Sequence, residues 1–190
     1  MNYLLTDQSV AEKIIAFDKL LTYYLAGLFP KSWQFREIFS FLSLTGGYLS
    51  VWVILIVFIL IRKKGKRLTL ILLFAGSLIL TLFSVHYLFK PLVKRERPPP
   101  VAPLVCPTNY SLPSGHAAVA FASATIIAFG DKKRKYWYYT TALLIAYSRI
   151  YLGCHFFFDV VFGAFYGYFI ARSLIYLISY KKILFRSKKN

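Results

Sequence analysis

Residues 68–89 read LTLILLFAGSLILTLFSVHYLF, an apolar run in which His86 is the one side chain that titrates near neutrality. An α-helix needs about 20 apolar residues to cross the hydrocarbon core of a bilayer, and this run is long enough. The rest of the chain agrees with it. Of its residues 58% are hydrophobic, and the mean hydropathy is +0.56. That composition excludes an ordinary soluble domain. Further apolar runs at 38–61, 114–130, 136–152 and 156–180 predict four more transmembrane helices. No internal repeat or low-complexity linker divides them. Residues 1–190 therefore read as a single integral-membrane domain, an all-α polytopic bundle of five to six transmembrane helices. No basic segment precedes an apolar core at the N-terminus, so insertion is expected to rely on the spans themselves.

Residues 7–29 follow a different pattern. Val10, Ile14, Phe17, Leu21, Tyr24 and Leu28 recur at helical spacing, while Glu12, Lys13, Asp18 and Lys19 fall on other faces. This is an amphipathic helix, expected to lie in the membrane interface. A first span with snorkelling charges is the alternative.

The net charge is +17, and the cations collect in runs: Arg62 to Arg67, Lys132 to Lys135, and Lys181 to Lys189. These runs lie between apolar segments and lack interleaved stacking aromatics, which argues against nucleic acid as a partner. Short basic loops beside spans follow the positive-inside pattern. Placing them in the cytoplasm puts 90–113 and the turn at 153–155 on the outer side.

The unusual residues gather on that outer side. Lys90, Lys94, Arg95 and Arg97 break the positive-inside bias, and an anionic ligand is a local reason for them. Prolines 98–100, 103 and 107 keep their loop from being helical. Pro113 and Ser114 start a helix, with Ser114 as N-cap and Gly115 and His116 in the first turn. Free N–H groups at such a terminus favour an anion, and Gly115 lets it approach the backbone. Arg149 lies six residues before His155 and Asp159 four after it. Asp159 can accept a hydrogen bond from one ring nitrogen of His155, leaving the other free to attack. The bland reading of this pair is a polar contact joining two helices, but charged groups within spans are costly and usually functional. Three cations, helix N–H donors, two histidines and one carboxylate suit phosphoryl transfer without a metal. No carboxylate or cysteine cluster in the sequence has metal-ligand spacing.

Lys90 to Pro98 reads K-x6-R-P, 113–116 reads P-S-G-H, and 148–159 reads S-R-x5-H-x3-D. In this order the three motifs resemble the phosphatidic acid phosphatase type 2 superfamily of membrane lipid phosphatases, over residues 68 to about 175. No position of the signature departs from the pattern. The resemblance implies a helical bundle with its active site at the extracytoplasmic surface of the cytoplasmic membrane and no cofactor. By position, His155 becomes the nucleophile that forms a phosphohistidine, Asp159 its orienting partner, and His116 the proton donor to the leaving oxygen. Lys90, Arg97, Ser114, Gly115 and Arg149 hold the phosphate.

The expected substrate is a membrane lipid with a phosphate or diphosphate headgroup. Phosphatidylglycerol phosphate, undecaprenyl diphosphate, lipid A 1-phosphate and phosphatidic acid all qualify, and no protein partner is called for. Lys94 and Arg95, as additional cations, favour a multiply charged headgroup. Two rival readings are a non-catalytic lipid-phosphate binding or transport protein and a vanadate-dependent haloperoxidase, whose family shares the motifs. Cys106 and Cys154 both fall on the outer side, where a disulfide and two free thiols are equally open.

Overall fold

Small residues dominate the stretch GHAAVAFASA, and small residues let neighbouring backbones come close. In the computed structural model this stretch opens α6 (Gly115–Gly130), which is enclosed by other helices along nearly its whole length. The structure describes residues 9–47, 49–62, 65, 67–101 and 106–187. Pro103 and the basic residues Lys63, Lys64, Lys66, Lys188 and Lys189 lie outside the described residues. Around α6 stand α2 (Trp33–Gly47), α3 (Ser50–Arg62), α4 (Arg67–Phe83), α7 (Lys135–Tyr151) and α8 (Phe157–Ser187). The short α5 (Lys90–Val93) continues α4 after a π-helical turn at Ser84–Phe89. Trp52, Ile59, Leu73, Ile126, Ile127 and Ile145 fill the core between α3, α4, α6 and α7. The fold is all-α, with no strand among the described residues.

The tightest contact joins α8 to α6. A Cβ placed at Gly163 would overlap the carbonyl oxygen of Ser114, and one at Gly167 would overlap that of Ala118. The two glycines are four residues apart on one face of α8, so both backbones press together there.

Each long helix runs between two chemically distinct ends. Arg62, Arg67 and the basic turn at Lys132–Arg134 meet at one end, where the guanidinium groups of Arg62 and Arg134 both lie over the Phe58 ring. Gly130 sits there too, against Leu70 and Ile59. The opposite end holds Lys90, Arg97, the start of α6, the end of α7 and the start of α8.

One expectation about the spans is corrected. Residues 38–61 do not form one helix, because α2 ends at Gly47 and α3 begins at Ser50. Gly46 and Gly47 weaken the helix, and Leu49 takes a left-handed φ of 61° at the break. Arg67–Val93 and Phe157–Tyr180 are long and apolar enough to cross a membrane, and α2 with α3 adds a third as a bent pair. α6 has 16 residues and α7 has 17.

α1 (Val10–Ala26) begins with a capping box, in which Ser9 and Glu12 satisfy each other's backbone N–H. Its amphipathic character is inverted relative to a soluble helix. Val10, Ile14, Phe17 and Tyr24 are exposed, whereas Asp18 and Thr22 are buried against α8.

The α6–α8 contact makes a measurable demand. Gly167→Ala is expected to destabilise the protein by about 1–3 kcal/mol, the usual range for overpacking. Gly76→Ala on α4, where an added Cβ meets only Leu174 at 4.0 Å, is expected to be neutral or mildly stabilising. Melting temperatures in detergent compare the two, and equal behaviour would contradict this packing.

Candidate active site

α4 carries Lys90 to the site, and the π-helical turn before it changes which way the next residues face. Lys90 is 5% exposed, and its Nζ donates to Asn109 Oδ1 at 2.7 Å. Beyond Lys94 the chain turns into the proline-rich loop that bears Arg97. The Arg97 guanidinium is held almost wholly by oxygens of nearby turns. Nε donates to Asn109 O at 2.6 Å, Nη1 to Cys154 O at 2.6 Å, and Nη2 to Asn109 Oδ1 at 2.8 Å. Burial lowers its pKa to about 10, which leaves it charged at neutral pH.

The α7–α8 turn presents His155. Gly153 has φ +70°, and a Cβ there would come within 2.8 Å of Pro99 O, so both conformation and space require glycine. The carbonyl of Arg149 accepts the N–H groups of Cys154 and His155, and the buried Arg149 side chain reaches Ser43 Oγ. The Cys106–Cys154 disulfide closes the cysteine question that the sequence leaves open, with a Cα–Cα distance of 5.2 Å. It ties the loop bearing Arg97 and Asn109 to the turn bearing His155.

His155 is 1% exposed, with Nε2 at 3.0 Å from Arg97 Nη1. A guanidinium only donates, so Nε2 must accept and therefore carries no proton. The proton belongs on Nδ1, which faces Asp159 Oδ2 at 3.5 Å. The expected hydrogen bond between them is not made here. Nδ1 is buried without a hydrogen-bond partner among the described residues, and Asp159 stands at ion-pair distance, an approach of the kind that tightens when substrate binds. Burial, then the charges of Arg97, Arg149 and Lys90, push the imidazole well below the ordinary histidine value, so the ring is neutral.

Ser114 caps α6, its Oγ accepting from Ala117 N, and its own N–H donates to Asp159 O at 2.9 Å. An added Cβ at Gly115 would make only ordinary contacts, the nearest being Val85 Cγ1 at 3.7 Å and His86 Nε2 at 3.8 Å. The protein's own packing does not demand a glycine there, and the space stays open. His116, half-buried in the same turn, lies within electrostatic reach of Arg149, His155, Lys90 and Arg97. All eight residues singled out from the sequence thus gather at one end of the bundle.

Arg95 departs from expectation. It is not a spare cation for a headgroup, because Nη1 binds Asp159 Oδ1 at 2.7 Å and Nη2 binds Asp18 Oδ2 at 2.5 Å. Lys94 is exposed and ends α5 in a left-handed conformation. Asn109, Ser43, Asp18 and Thr22 are the residues that sequence reasoning missed. Asp18 left a trace, since its carboxylate sits beside a run of outward apolar positions. Asn109 left none.

The arrangement fixes how His155 should titrate. In protein with His86 and His116 replaced, the imidazole carbon resonances are expected to titrate with a midpoint below 6.5, the ordinary value. Arg97→Gln removes a cation that disfavours imidazolium, so it should move the midpoint upward. A wild-type midpoint at or above 6.5 would show that burial and the surrounding cations do not disfavour the imidazolium.

The profile of the PAP2 superfamily matches residues 69–183. Among curated proteins, an undecaprenyl-diphosphatase of Sulfolobus acidocaldarius is 36% identical over 69 residues, covering 34% of this chain and 32% of that protein. A phosphatidylglycerophosphatase B of Bacillus subtilis is 34% identical over 113 residues, covering 54% of this chain and 53% of that protein. These matches span about a third and about half of the relatives' lengths. Among solved structures, a transmembrane PAP2 type phosphatidylglycerolphosphate phosphatase from Bacillus subtilis superimposes with a TM-score of 0.63 at 24% identity, covering 88% of this chain and 87% of that one. Aquifex aeolicus LpxE gives 0.62 at 28%, covering 84% and 94%. The match over 69–183 takes in Lys90, Arg97, the PSGH turn and the Arg149–His155–Asp159 segment, and on it this chain belongs to the PAP2 superfamily.

Proposed function

We propose that this protein is a membrane lipid phosphatase that removes phosphate from an amphiphilic lipid phosphate or diphosphate through a phosphohistidine. The observation that carries the reading is His155 itself: a buried, neutral imidazole whose unprotonated Nε2 faces the Arg97 guanidinium 3.0 Å away, at the place where an anion would lie. A buried polar pair serving only to join helices has no use for that. Nε2 attacks phosphorus in line while the bond from phosphorus to the lipid oxygen breaks. His116 gives its proton to the departing oxygen, and Asp159 holds the Nδ1 proton as charge develops on the ring. Water then attacks the phosphohistidine, His116 takes its proton, and inorganic phosphate leaves. Lys90, Arg97, Arg149 and the N–H groups at the start of α6 hold the phosphoryl oxygens, supplying the positive charge without a metal.

The candidate lipids remain phosphatidylglycerol phosphate, undecaprenyl diphosphate, lipid A 1-phosphate and phosphatidic acid. The names of the two curated relatives support both a monoester and a diphosphate. With Arg95 engaged by carboxylates, its charge no longer speaks for a multiply charged headgroup.

Phosphate release from each lipid by detergent-solubilised protein, with chelator present, tests the proposal. His155→Ala is expected to abolish turnover on every substrate. His116→Ala should slow a monoester by about 100-fold or more, the range for a lost general acid, and a diphosphate less. A diphosphate departs as a stable lipid phosphate and needs the proton less. Equal losses at saturating lipid would assign His116 to phosphate binding. Binding without turnover, or halide oxidation dependent on vanadate, would replace the phosphatase reading.

We place the site on the extracytoplasmic face of the cytoplasmic membrane, with α1 in the interface and the basic ends of the helices in the cytoplasm. The clustering of Arg62, Arg67 and Lys132–Arg134 at the far end supports this orientation. The Cys106–Cys154 disulfide supports it as well, since such bonds persist in oxidising compartments. A cysteine introduced at 101 should label from outside intact cells and one at 133 should not; the reverse pattern inverts the topology.

A further inference from the structure

Arg95 bridges two carboxylates that come from opposite ends of the sequence. One is Asp159, the partner of His155; the other is Asp18 on α1. The guanidinium also lies over the Phe156 ring, 4.4 Å from its centroid. Asp18 is 1% exposed, and its second oxygen accepts from Phe158 N at 2.9 Å. Thr22, one turn along α1, accepts from Phe157 N at 2.8 Å. The start of α8 reads Phe156-Phe157-Phe158 and has no Ser, Thr, Asp or Asn at its N-cap. α1 therefore caps α8 from outside, at the turn that carries Asp159.

The geometry at Arg95 is selective. Free guanidinium groups grip a carboxylate with two parallel hydrogen bonds. Here Nη2 is taken by Asp18, so Arg95 holds Asp159 through Oδ1 alone. Oδ2 stays available to Phe156 N at 3.0 Å and to His155 Nδ1 at 3.5 Å. Without the Asp18 charge, Nη2 is released to compete for Oδ2, and Asp159 turns away from the imidazole.

We infer that Asp18 is a positioning residue for the reaction, which sets the orientation of Asp159 towards His155 by occupying one arm of Arg95. The N-terminal helix is thereby part of the reaction centre and not only a membrane contact. The inference rests on the phosphatase reading for its kinetic consequence, and on geometry alone for its structural one.

Asp18→Asn, Asp18→Glu and Thr22→Val separate charge from capping in the full-length protein. With one oxygen still capping Phe158, the Asn amide turns its NH2 towards Arg95, where two donors repel. Asp18→Asn should lower kcat by about tenfold or more, the scale of lost outer-shell partners, with KM within about twofold. Asp18→Glu restores the charge and should recover most of that loss. Thr22→Val removes a cap only, so it should lower the melting temperature while kcat per folded molecule stays within about twofold. In an Arg95→Gln background the Asp18→Asn change should have no further effect on kcat, because the group it acts through is gone. Equal kcat losses in Asp18→Asn and Thr22→Val, or an undiminished Asp18 effect in the Arg95→Gln background, would overturn the inference and leave α1 a structural cap. The Nδ1–H proton resonance of His155 decides the same point without turnover. It should move upfield in Asp18→Asn as Asp159 draws away from Nδ1, and an unmoved resonance refutes the positioning role. A wild type inert on every lipid would sink the phosphatase reading, while that resonance still answers for Asp18.

Discussion

The structure depends on how closely α8 can approach α6. Asp159, Gly163 and Gly167 are spaced by four residues and share one stripe of α8. The glycines seat that stripe on the carbonyls of Ser114 and Ala118, and Ser114 N closes the top of the contact on Asp159 O at 2.9 Å. One packing event thus fixes the carboxylate beside His155 and the helix start that carries Gly115 and His116. A side chain larger than hydrogen at either glycine would separate the two halves of the site. No adjustment of loops could restore their register, because helices move as units.

The remaining chemistry hangs from loops, and these are held by means other than regular structure. Arg97 acts as the local scaffold, since its guanidinium collects the carbonyls of Asn109, Tyr110 and Cys154 and also reaches His155 Nε2. The disulfide and the close approach of Pro99 to Gly153 hold the same two loops from the other side. The cations are thereby held in fixed positions beside His155. Asn109 Oδ1 accepts from both Lys90 Nζ and Arg97 Nη2 and so holds the two cations together.

The sequence carried much of this, unevenly. Apolar runs mark the helices because lipid and core impose the same composition. His116 and His155 stand out because the chain has three histidines, the charged site residues because they lie apart from the basic runs, and Ser114 and Gly115 through the PSGH motif. Spacing brings His155 near Asp159, although His155 lies in the turn before α8 and not on its face, and it places the PSGH turn at a helix mouth. Other features need three-dimensional information. The break between α2 and α3 depends on how Gly46 packs against Ile145 of α7. The pairing of Cys106 with Cys154 depends on where the loop folds back. Arg95 reads as a loop cation until both of its carboxylate partners are in place. Asn109 is an ordinary loop residue whose neighbours are 12 and 19 positions away.

α6 is closed in by its neighbours, whereas Val10, Phe17 and Tyr24 of α1 and Tyr87, Leu88 and Leu92 near Lys90 look outward. This divides the molecule into parts with unequal freedom to drift. Substitution in α6 or on its glycine contacts disturbs the placement of Asp159, Gly115 and His116 at once. Change along the outward rim alters what can lie beside that end of the bundle and leaves the α6–α8 contact alone.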